Sequence, residues 1–223
     1  MTRDEIARYI DHTILKSSAT IKDIKKLCDE AKKYNFAAVC VNPCYVSYCK
    51  EQLKNTQVKV ATVVGFPLGA NKTEIKVFET RQALLDGADE IDMVINIGAM
   101  IEGSYEYVEK EIEEIVKVTR EYGEDKIVKV IIETSELTDE QKKIACEISK
   151  KSGAHFVKTS TGFSKWGAKA EDVNFMKETV GEKVKVKASG GIKTYEDAIK
   201  MIEAGADRIG TSNGVAIVEG AEG

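Results

Sequence analysis

Proline is scarce in this chain. It occurs twice in 223 residues, at Pro43 and Pro67. Each closes a β-rich run, Phe36–Asn42 and Val58–Phe66, where proline ends a strand without breaking a hydrogen-bond ladder. Histidine also occurs only twice, and Trp166 is the single tryptophan. The five cysteines, Cys28, Cys40, Cys44, Cys49 and Cys146, are an odd number. That argues against a disulfide framework and fits a reducing compartment. Three of them cluster without C-x-x-C spacing, and with so few histidines no metal site is expected. They read as small buried hydrophobes. An excess of positive charge is missing too: the net charge of −4 favours neither nucleic acid nor an anionic membrane as a partner. No apolar run reaches spanning length, and Met1-Thr2-Arg3-Asp4-Glu5 lacks the pattern of a signal peptide. The expectation is a cytoplasmic protein, and 43% hydrophobic with 31% charged residues describes a soluble globular one with a sizeable core.

What is present is alternation. Besides the two runs that end at proline, β-rich runs occupy Glu90–Ile97, Ile127–Thr134, His155–Thr161, Val184–Ser189 and Arg208–Ser212, with a weaker one first at Arg8–Ile14. Helical spacing fills the gaps. Thr73–Asp86 carries Ile75, Phe78, Leu84 and Leu85; Tyr105–Tyr122 carries Val108, Ile112, Ile115 and Val116; Thr138–Lys151 carries Ile144, Ala145 and Ile148. These predict amphipathic helices. Gly87-Ala88-Asp89, Gly153-Ala154-His155 and Gly205-Ala206-Asp207 each sit between a helix and a strand, and Tyr34-Asn35-Phe36 is a fourth version with Asn as the left-handed stop. A reused strand–helix unit builds a parallel sheet with helices outside. Eight strands at this length predict an α/β fold, a (β/α)8 TIM barrel, in one domain over residues 1–223. An open doubly wound sheet is the alternative, weakened because no Gly-x-Gly-x-x-Gly follows the first strand.

In such a barrel chemistry sits at the C-terminal strand ends. His155-Phe156-Val157-Lys158-Thr159-Ser160-Thr161-Gly162 places a lysine inside a buried strand. Burial lowers a lysine's pKa, and the free amine it leaves can form a Schiff base with a carbonyl compound. Lys187 and Asp92 lie in other strands and can also project inward. A neighbouring ammonium keeps Lys158 neutral, while Asp92 balances charge and moves protons. The competing reading is a buried ion pair that only fixes the fold. Strict alternation puts Lys183 and Lys185 on the face of Lys187, which requires a bulge or an enclosed Lys185. Other strand ends offer Asp11, His12, Thr13, Cys40, Asn42, Asn96, Glu133 and Thr134. Of these Asp11, Thr13 and Cys40 are candidate substrate contacts. Ser189-Gly190-Gly191 and Gly210-Thr211-Ser212-Asn213-Gly214 each precede a helix, and together they predict an anion cradle from glycine backbone and helix N-termini. His155 reads as structural, Trp166 as a lid or surface packing, and the Lys/Glu run Glu109–Glu114 as a solvated helix face.

Seven stretches carry a resemblance: Ile10-Asp11-His12-Thr13, Val39-Cys40-Val41-Asn42-Pro43, Val63-Val64-Gly65-Phe66-Pro67-Leu68-Gly69, Glu90-Ile91-Asp92-Met93-Val94, Val157-Lys158-Thr159-Ser160-Thr161-Gly162, Lys187-Ala188-Ser189-Gly190-Gly191-Ile192 and Arg208-Ile209-Gly210-Thr211-Ser212. In this order, over nearly the whole chain, they resemble the deoxyribose-phosphate aldolases, class I aldolases that cleave 2-deoxyribose 5-phosphate to glyceraldehyde 3-phosphate and acetaldehyde. The resemblance implies a barrel with no metal and no cofactor, and a homodimer or larger homo-oligomer. It maps the Schiff-base lysine onto Lys158, the second lysine onto Lys187 and the proton-relay aspartate onto Asp92. Phosphate contacts fall on Thr161, Gly162, Gly190, Gly191, Gly210 and Ser212. Some members carry a C-terminal tail whose last tyrosine assists proton transfer; Ala221-Glu222-Gly223 does not match it. Rival readings are a phosphosugar isomerase or epimerase with Asp92 as base, and a non-catalytic sensor of a phosphorylated ligand.

Overall fold

In a computed structural model, which describes residues 1–221, eight parallel strands close into a barrel in sequence order. They are β1 Ile10–Ile14, β2 Ala38–Val41, β3 Lys59–Val64, β4 Glu90–Val94, β5 Ile127–Ile131, β6 Phe156–Lys158, β7 Lys185–Ser189 and β8 Arg208–Thr211. Every predicted strand is present, shorter by a few residues. Glu222 and Gly223, at the end of the unmatched tail, lie outside the described residues. Among the described residues no helix is long and apolar enough to cross a membrane.

The helices start where side chains can replace missing backbone acceptors. Thr20 with Asp23, Thr138 with Gln141 and Thr194 with Asp197 form capping boxes at the heads of helices Ile21–Tyr34, Asp139–Lys151 and Tyr195–Glu203. They stop where the repeat predicts. Asn35 takes a left-handed conformation at φ 56°, and Gly87, Gly153 and Gly205 also have positive φ.

Apolar residues divide between two regions. The larger core lies between the outer faces of the strands and the helices, and includes Val39, Val60, Ile91, Val130, Val186 and Ile209. Inside the barrel a small cluster of Ala38, Cys40, Ala61 and Val63 occupies the β2–β3 side. These short side chains leave interior volume for the long charged ones from the other strands.

Three expectations need correction. The spacing of helix Thr73–Leu85 is helical, but Ile75, Phe78 and Leu85 face solvent; only Leu84 of the four is buried, together with Lys76, Thr80 and Ala83. Glu111, in the run expected to be solvated, is completely buried because it pairs with Lys76 at 2.6 Å. Cys44 is exposed, whereas the other four cysteines are buried. The question over Lys185 also resolves: it opens β7 at the bottom mouth and is exposed, so alternation holds without a bulge.

Candidate active site

Strand register sets the charged interior. Asp92 lies beside Lys129 across β4–β5, Lys158 beside Lys187 across β6–β7, and Lys187 beside Arg208 across β7–β8. Asp92 is the hub. Its Oδ2 lies 2.9 Å from Lys158 Nζ and 2.7 Å from Lys187 Nζ, while its Oδ1 lies 2.7 Å from Lys129 Nζ. Lys187 also pairs with Asp11 at 2.5 Å, and Arg208 holds Asp11 at 2.6 Å and Glu90 at 2.8 Å. Lys129 completes the ring with Glu90 at 2.5 Å.

Four basic groups therefore face three carboxylates in a buried network. Full ionisation leaves one uncompensated positive charge, which a low-dielectric interior opposes. Of the four basic groups only Lys158 has its pKa lowered. Burial, and then the Lys187 ammonium, pull the Lys158 pKa down, against Asp92. Lys187 and Lys129 shift the other way: burial lowers them, but Asp11 with Asp92, and Asp92 with Glu90, outweigh it. Burial alone raises the Asp92 carboxyl, yet Lys129, Lys158 and Lys187 hold it well below the usual range. The lysine whose pKa is lowered is also the one that reaches the mouth. Lys158 is 3% exposed and lines a cavity of about 570 Å³, whereas Lys187 is 0% exposed and Asp92 is fully enclosed.

That cavity brings together most of the residues expected from sequence. Thr13, Thr161, Gly162, Gly190, Gly191, Gly210 and Ser212 all line it, with His12, Ser189 and Phe163. Asp11 and Cys40 do not. Asp11 sits in the charged network below, and Cys40 is fully buried with its thiol pushed up by burial. Thr13 donates to the Asp11 carbonyl at 2.8 Å. Gly210 permits close packing of β8 over Lys187: a Cβ there would approach Lys187 Cε at 3.0 Å.

At helix Tyr195–Glu203, Asp197 Oδ2 already accepts from the Lys193 and Thr194 amides. Among the described residues, the Gly190 and Gly191 amides also donate to no protein acceptor. Both glycines have positive φ, 88° and 80°, a backbone conformation that glycine adopts without strain. Lys193 also lines the cavity, as do Lys16 and Lys26, which pair with Asp23 and Glu30 there.

Sequence reasoning missed Lys129, Glu90 and Arg208. The signal for Lys129 was the same as for Lys158, a lysine inside an apolar strand, Ile127-Val128-Lys129-Val130-Ile131. Glu133 is a further supporting residue. Its carboxylate accepts from the Thr161 amide at 3.2 Å and from the Thr161 hydroxyl, fixing the loop after β6. His155 is structural as expected, its Nδ1 accepting from the Val128 amide at 3.1 Å. His12 Nε2 bonds Glu30 at 2.7 Å. Trp166 lies at the surface, with Lys169 Nζ 4.1 Å from its ring centre.

A (β/α)8 barrel with a buried lysine–carboxylate cluster beneath a glycine-lined mouth cavity defines a lysine-centred barrel enzyme, a lyase of the aldolase class. The chain belongs to the DeoC/LacD family of aldolases, whose family model matches residues 6–220. A deoxyribose-phosphate aldolase from Caldicellulosiruptor saccharolyticus is 67% identical over 218 residues, covering 98% of this chain and 99% of that one. One from Thermococcus kodakarensis is 62% identical over 223 residues, covering 99% of each chain. The solved structure of the deoxyribose phosphate aldolase from Aeropyrum pernix, described as tetrameric, superposes with a TM-score of 0.92 at 35% identity, covering 98% of this chain and 91% of that one.

Proposed function

We propose that this protein is a class I aldolase that reversibly cleaves 2-deoxy-D-ribose 5-phosphate to D-glyceraldehyde 3-phosphate and acetaldehyde. The observation that carries the reading is Lys158: an amine with a lowered pKa at the floor of the mouth cavity, 2.9 Å from Asp92. The names of its relatives support the substrate.

In this reading the Lys158 amine attacks C1 of the open-chain aldehyde, and loss of water leaves a protonated imine. A base takes the proton of the C3 hydroxyl and the C2–C3 bond breaks. Its electrons pass into the iminium to give an enamine, and glyceraldehyde 3-phosphate leaves. The enamine takes a proton at C2, water hydrolyses the resulting imine, and acetaldehyde and free Lys158 are released. Asp92 and Lys187 move these protons. Lys187 also keeps Lys158 neutral between turnovers. The Gly190 and Gly191 amides, with Thr161, Gly162, Gly210 and Ser212, hold the phosphate and so position the reacting carbons. Asp11, Thr13 and Cys40 support the sugar end from below. The reading extends to a cytoplasmic enzyme that acts on a small phosphorylated sugar and assembles as a homo-oligomer.

Borohydride reduction in the presence of acetaldehyde, followed by peptide mass mapping, tests it. A two-carbon adduct on Lys158 is expected. An adduct on Lys187 reverses the roles of the two lysines and keeps the chemistry. No adduct on any lysine of the folded protein removes the imine route and favours a phosphosugar isomerase or a binding protein.

A further inference from the structure

Two neighbouring strand ends share the phosphate in the reading above, Gly190 and Gly191 after β7 and Gly210 and Ser212 at the end of β8. An anion held from both sides needs those ends at a fixed separation, because a hydrogen bond tolerates only about 2.7–3.2 Å. The sheet does not supply it. Strand pairing between β7 and β8 stops at Ser189 and Gly210, and the chain leads on into separate helices, Tyr195–Glu203 and Gly214–Glu219. Beyond that point one side chain joins the two loops. Thr211 Oγ1 donates to the Ile192 carbonyl at 2.7 Å and accepts from the Asn213 amide at 2.9 Å. Among the described residues no other hydrogen bond links residues 190–194 to residues 211–214. Thr211 is buried and lines the mouth cavity. It also has a firm back. Thr211 lies beside His12 in the β1–β8 register, and His12 is held by Glu30. The His12 ring packs against Phe36, with ring centres 5.0 Å apart. A Cβ on Gly214 would come within 2.9 Å of His12 Nδ1, so the chain after Thr211 lies directly on that ring.

We infer that Thr211 is a positioning residue for the phosphate group: its hydroxyl ties the loop after β7 to the loop after β8 and so sets the gap in which the phosphate is held. The inference rests on the phosphate-binding reading above and adds to it a group that acts through its neighbours. A threonine that only closed a turn would bond the Asn213 amide, two residues on, as Ser and Thr often do. The bond to Ile192 reaches 19 residues back, into the other loop. A hydroxyl has one hydrogen to donate and lone pairs to accept with, and this one uses both capacities, one on each loop. Thr159 fastens the previous pair of strands in the same way. Its Oγ1 accepts from the Ser189 amide at 3.1 Å and donates to the Ser189 carbonyl at 3.3 Å. That contact holds the last paired residue of β7, and Thr211 continues the series past the end of the sheet. Between them lie the two glycines. On the near side Ala168 holds them, its amide donating to the Ser189 and Gly190 carbonyls at 3.0 Å. On the far side the next anchor is Ile192. Without the Thr211 hydroxyl, residues that are conformationally free by nature are tied at one end only. Lys158, Asp92 and Lys187 stay held by their own ion pairs, so the loss falls on phosphate affinity rather than on the chemical step.

Thr211→Val, which keeps the shape and removes the hydroxyl, tests it beside Thr211→Ser, which keeps the hydroxyl. The readouts are the Kd of inorganic phosphate by calorimetry and the steady-state cleavage of 2-deoxyribose 5-phosphate and of unphosphorylated 2-deoxyribose. In the valine variant, Kd for phosphate and KM for the sugar phosphate should each rise roughly five- to tenfold, the scale of one net hydrogen bond. Its kcat should hold, and the unphosphorylated sugar should lose far less, so the preference for the phosphorylated sugar drops. The serine variant should restore both constants. Unchanged phosphate affinity in Thr211→Val overturns the inference, as does a native protein that binds no phosphate. Equal loss on both sugars, or no recovery with serine, overturns it too and makes Thr211 structural. A native protein that binds phosphate but does not cleave the sugar phosphate defeats the aldolase reading instead, and the calorimetry, which needs no turnover, still decides the role of Thr211. If Thr211→Val does not fold, the native protein decides. Coupling between the hydroxyl bonds and the phosphate is reciprocal, so saturating inorganic phosphate should slow hydrogen exchange at the Asn213 amide. Exchange that phosphate leaves unchanged overturns the inference.

Discussion

Lys158 and Lys187 hold the same oxygen. Their side-chain nitrogens lie 2.9 and 2.7 Å from Oδ2 of Asp92, so two like charges converge on one acceptor. Lys187 has a second carboxylate, Asp11, at 2.5 Å, whereas Asp92 is the only acid paired with Lys158 among the described residues. The second carboxylate favours the proton at Lys187 over Lys158, the direction in which the two pKa values move.

Replacing Lys187 by Met tests that coupling. Without the neighbouring ammonium, the Lys158 pKa rises, and each unit of rise cuts the free amine at a given pH below it about tenfold. Imine formation with acetaldehyde, followed against pH, should show its acid limb displaced to higher pH. This step needs no proton relay in the enamine, so it separates amine activation from any loss of turnover. An acid limb that stays in place sinks the tuning role of Lys187.

Lys129→Met should destabilise the fold most strongly near neutral pH, with the deficit narrowing as pH falls into the acid range. The pKa values of Asp11 and Asp92 are held below the unfolded value of about 3.9. Their contribution to stability is present above that value and is lost as pH falls toward the folded pKa values. Lys129 and Lys187 are raised, so theirs is present below about pH 10.4 and is lost as pH rises through the folded values. Removing Lys129 leaves Glu90 and Asp92 short of a cation, and breaking such a buried pair costs roughly 3–5 kcal/mol. Asp92 is then protonated at higher pH, so the variant has less carboxylate stabilisation left to lose and its difference from the native protein narrows in acid. Urea titrations at neutral and acid pH check both effects. Equal stability of variant and native protein rejects the electrostatic role of Lys129.

Gly191→Ala separates phosphate binding from folding. Gly191 sits at φ 80° with open space where a Cβ would point. Alanine costs about 1 kcal/mol there through left-handed strain, and its methyl group alters the cradle. KM for the sugar phosphate should rise several-fold while cleavage of unphosphorylated deoxyribose barely changes. An equal loss for both sugars reduces Gly191 to a turn residue.

The strand–helix alternation was legible because glycine and asparagine stops, capping threonines and apolar strands agree along the chain. Lys158 stood out as a charge inside an apolar strand next to a polar, glycine-rich end, and Asp92 as an acid among apolar neighbours. Lys129 has the same apolar surroundings as Asp92, but in its strand the polar end at Glu133 and Thr134 drew the reading instead. Glu90 and Arg208 open their strands, where a charge reads as a boundary rather than as an inward group. Periodicity located the face of helix Thr73–Leu85 but not the side of it that turns inward. That depends on the buried partner of Lys76, and the partner, Glu111, lies on another helix.

That partner supplies the last prediction. Lys76 Nζ donates to Glu111 Oε1 at 2.6 Å and to the Val94 carbonyl at 2.7 Å, and Glu111 Oε2 accepts from the Asn96 amide at 2.9 Å. The pair thus ties down the C-terminal end of β4, just past Asp92. Burial pushes the Lys76 pKa down and the Glu111 pKa up, each toward its neutral form, so desolvation offsets much of their attraction. Glu111→Ala alone strands Lys76 in the core and should cost roughly 3–5 kcal/mol. Lys76→Met with Glu111→Leu removes both charges at similar volume and should recover most of that loss. The Val94 carbonyl and the Asn96 amide stay unpaired, however, and two lost hydrogen bonds cost about 1 kcal/mol each. Chemical denaturation of the single and double variants, read as a cycle, measures the difference. If the pair also positions Asp92, the double variant regains stability without regaining kcat. Full recovery of both shows the pair to be structural only.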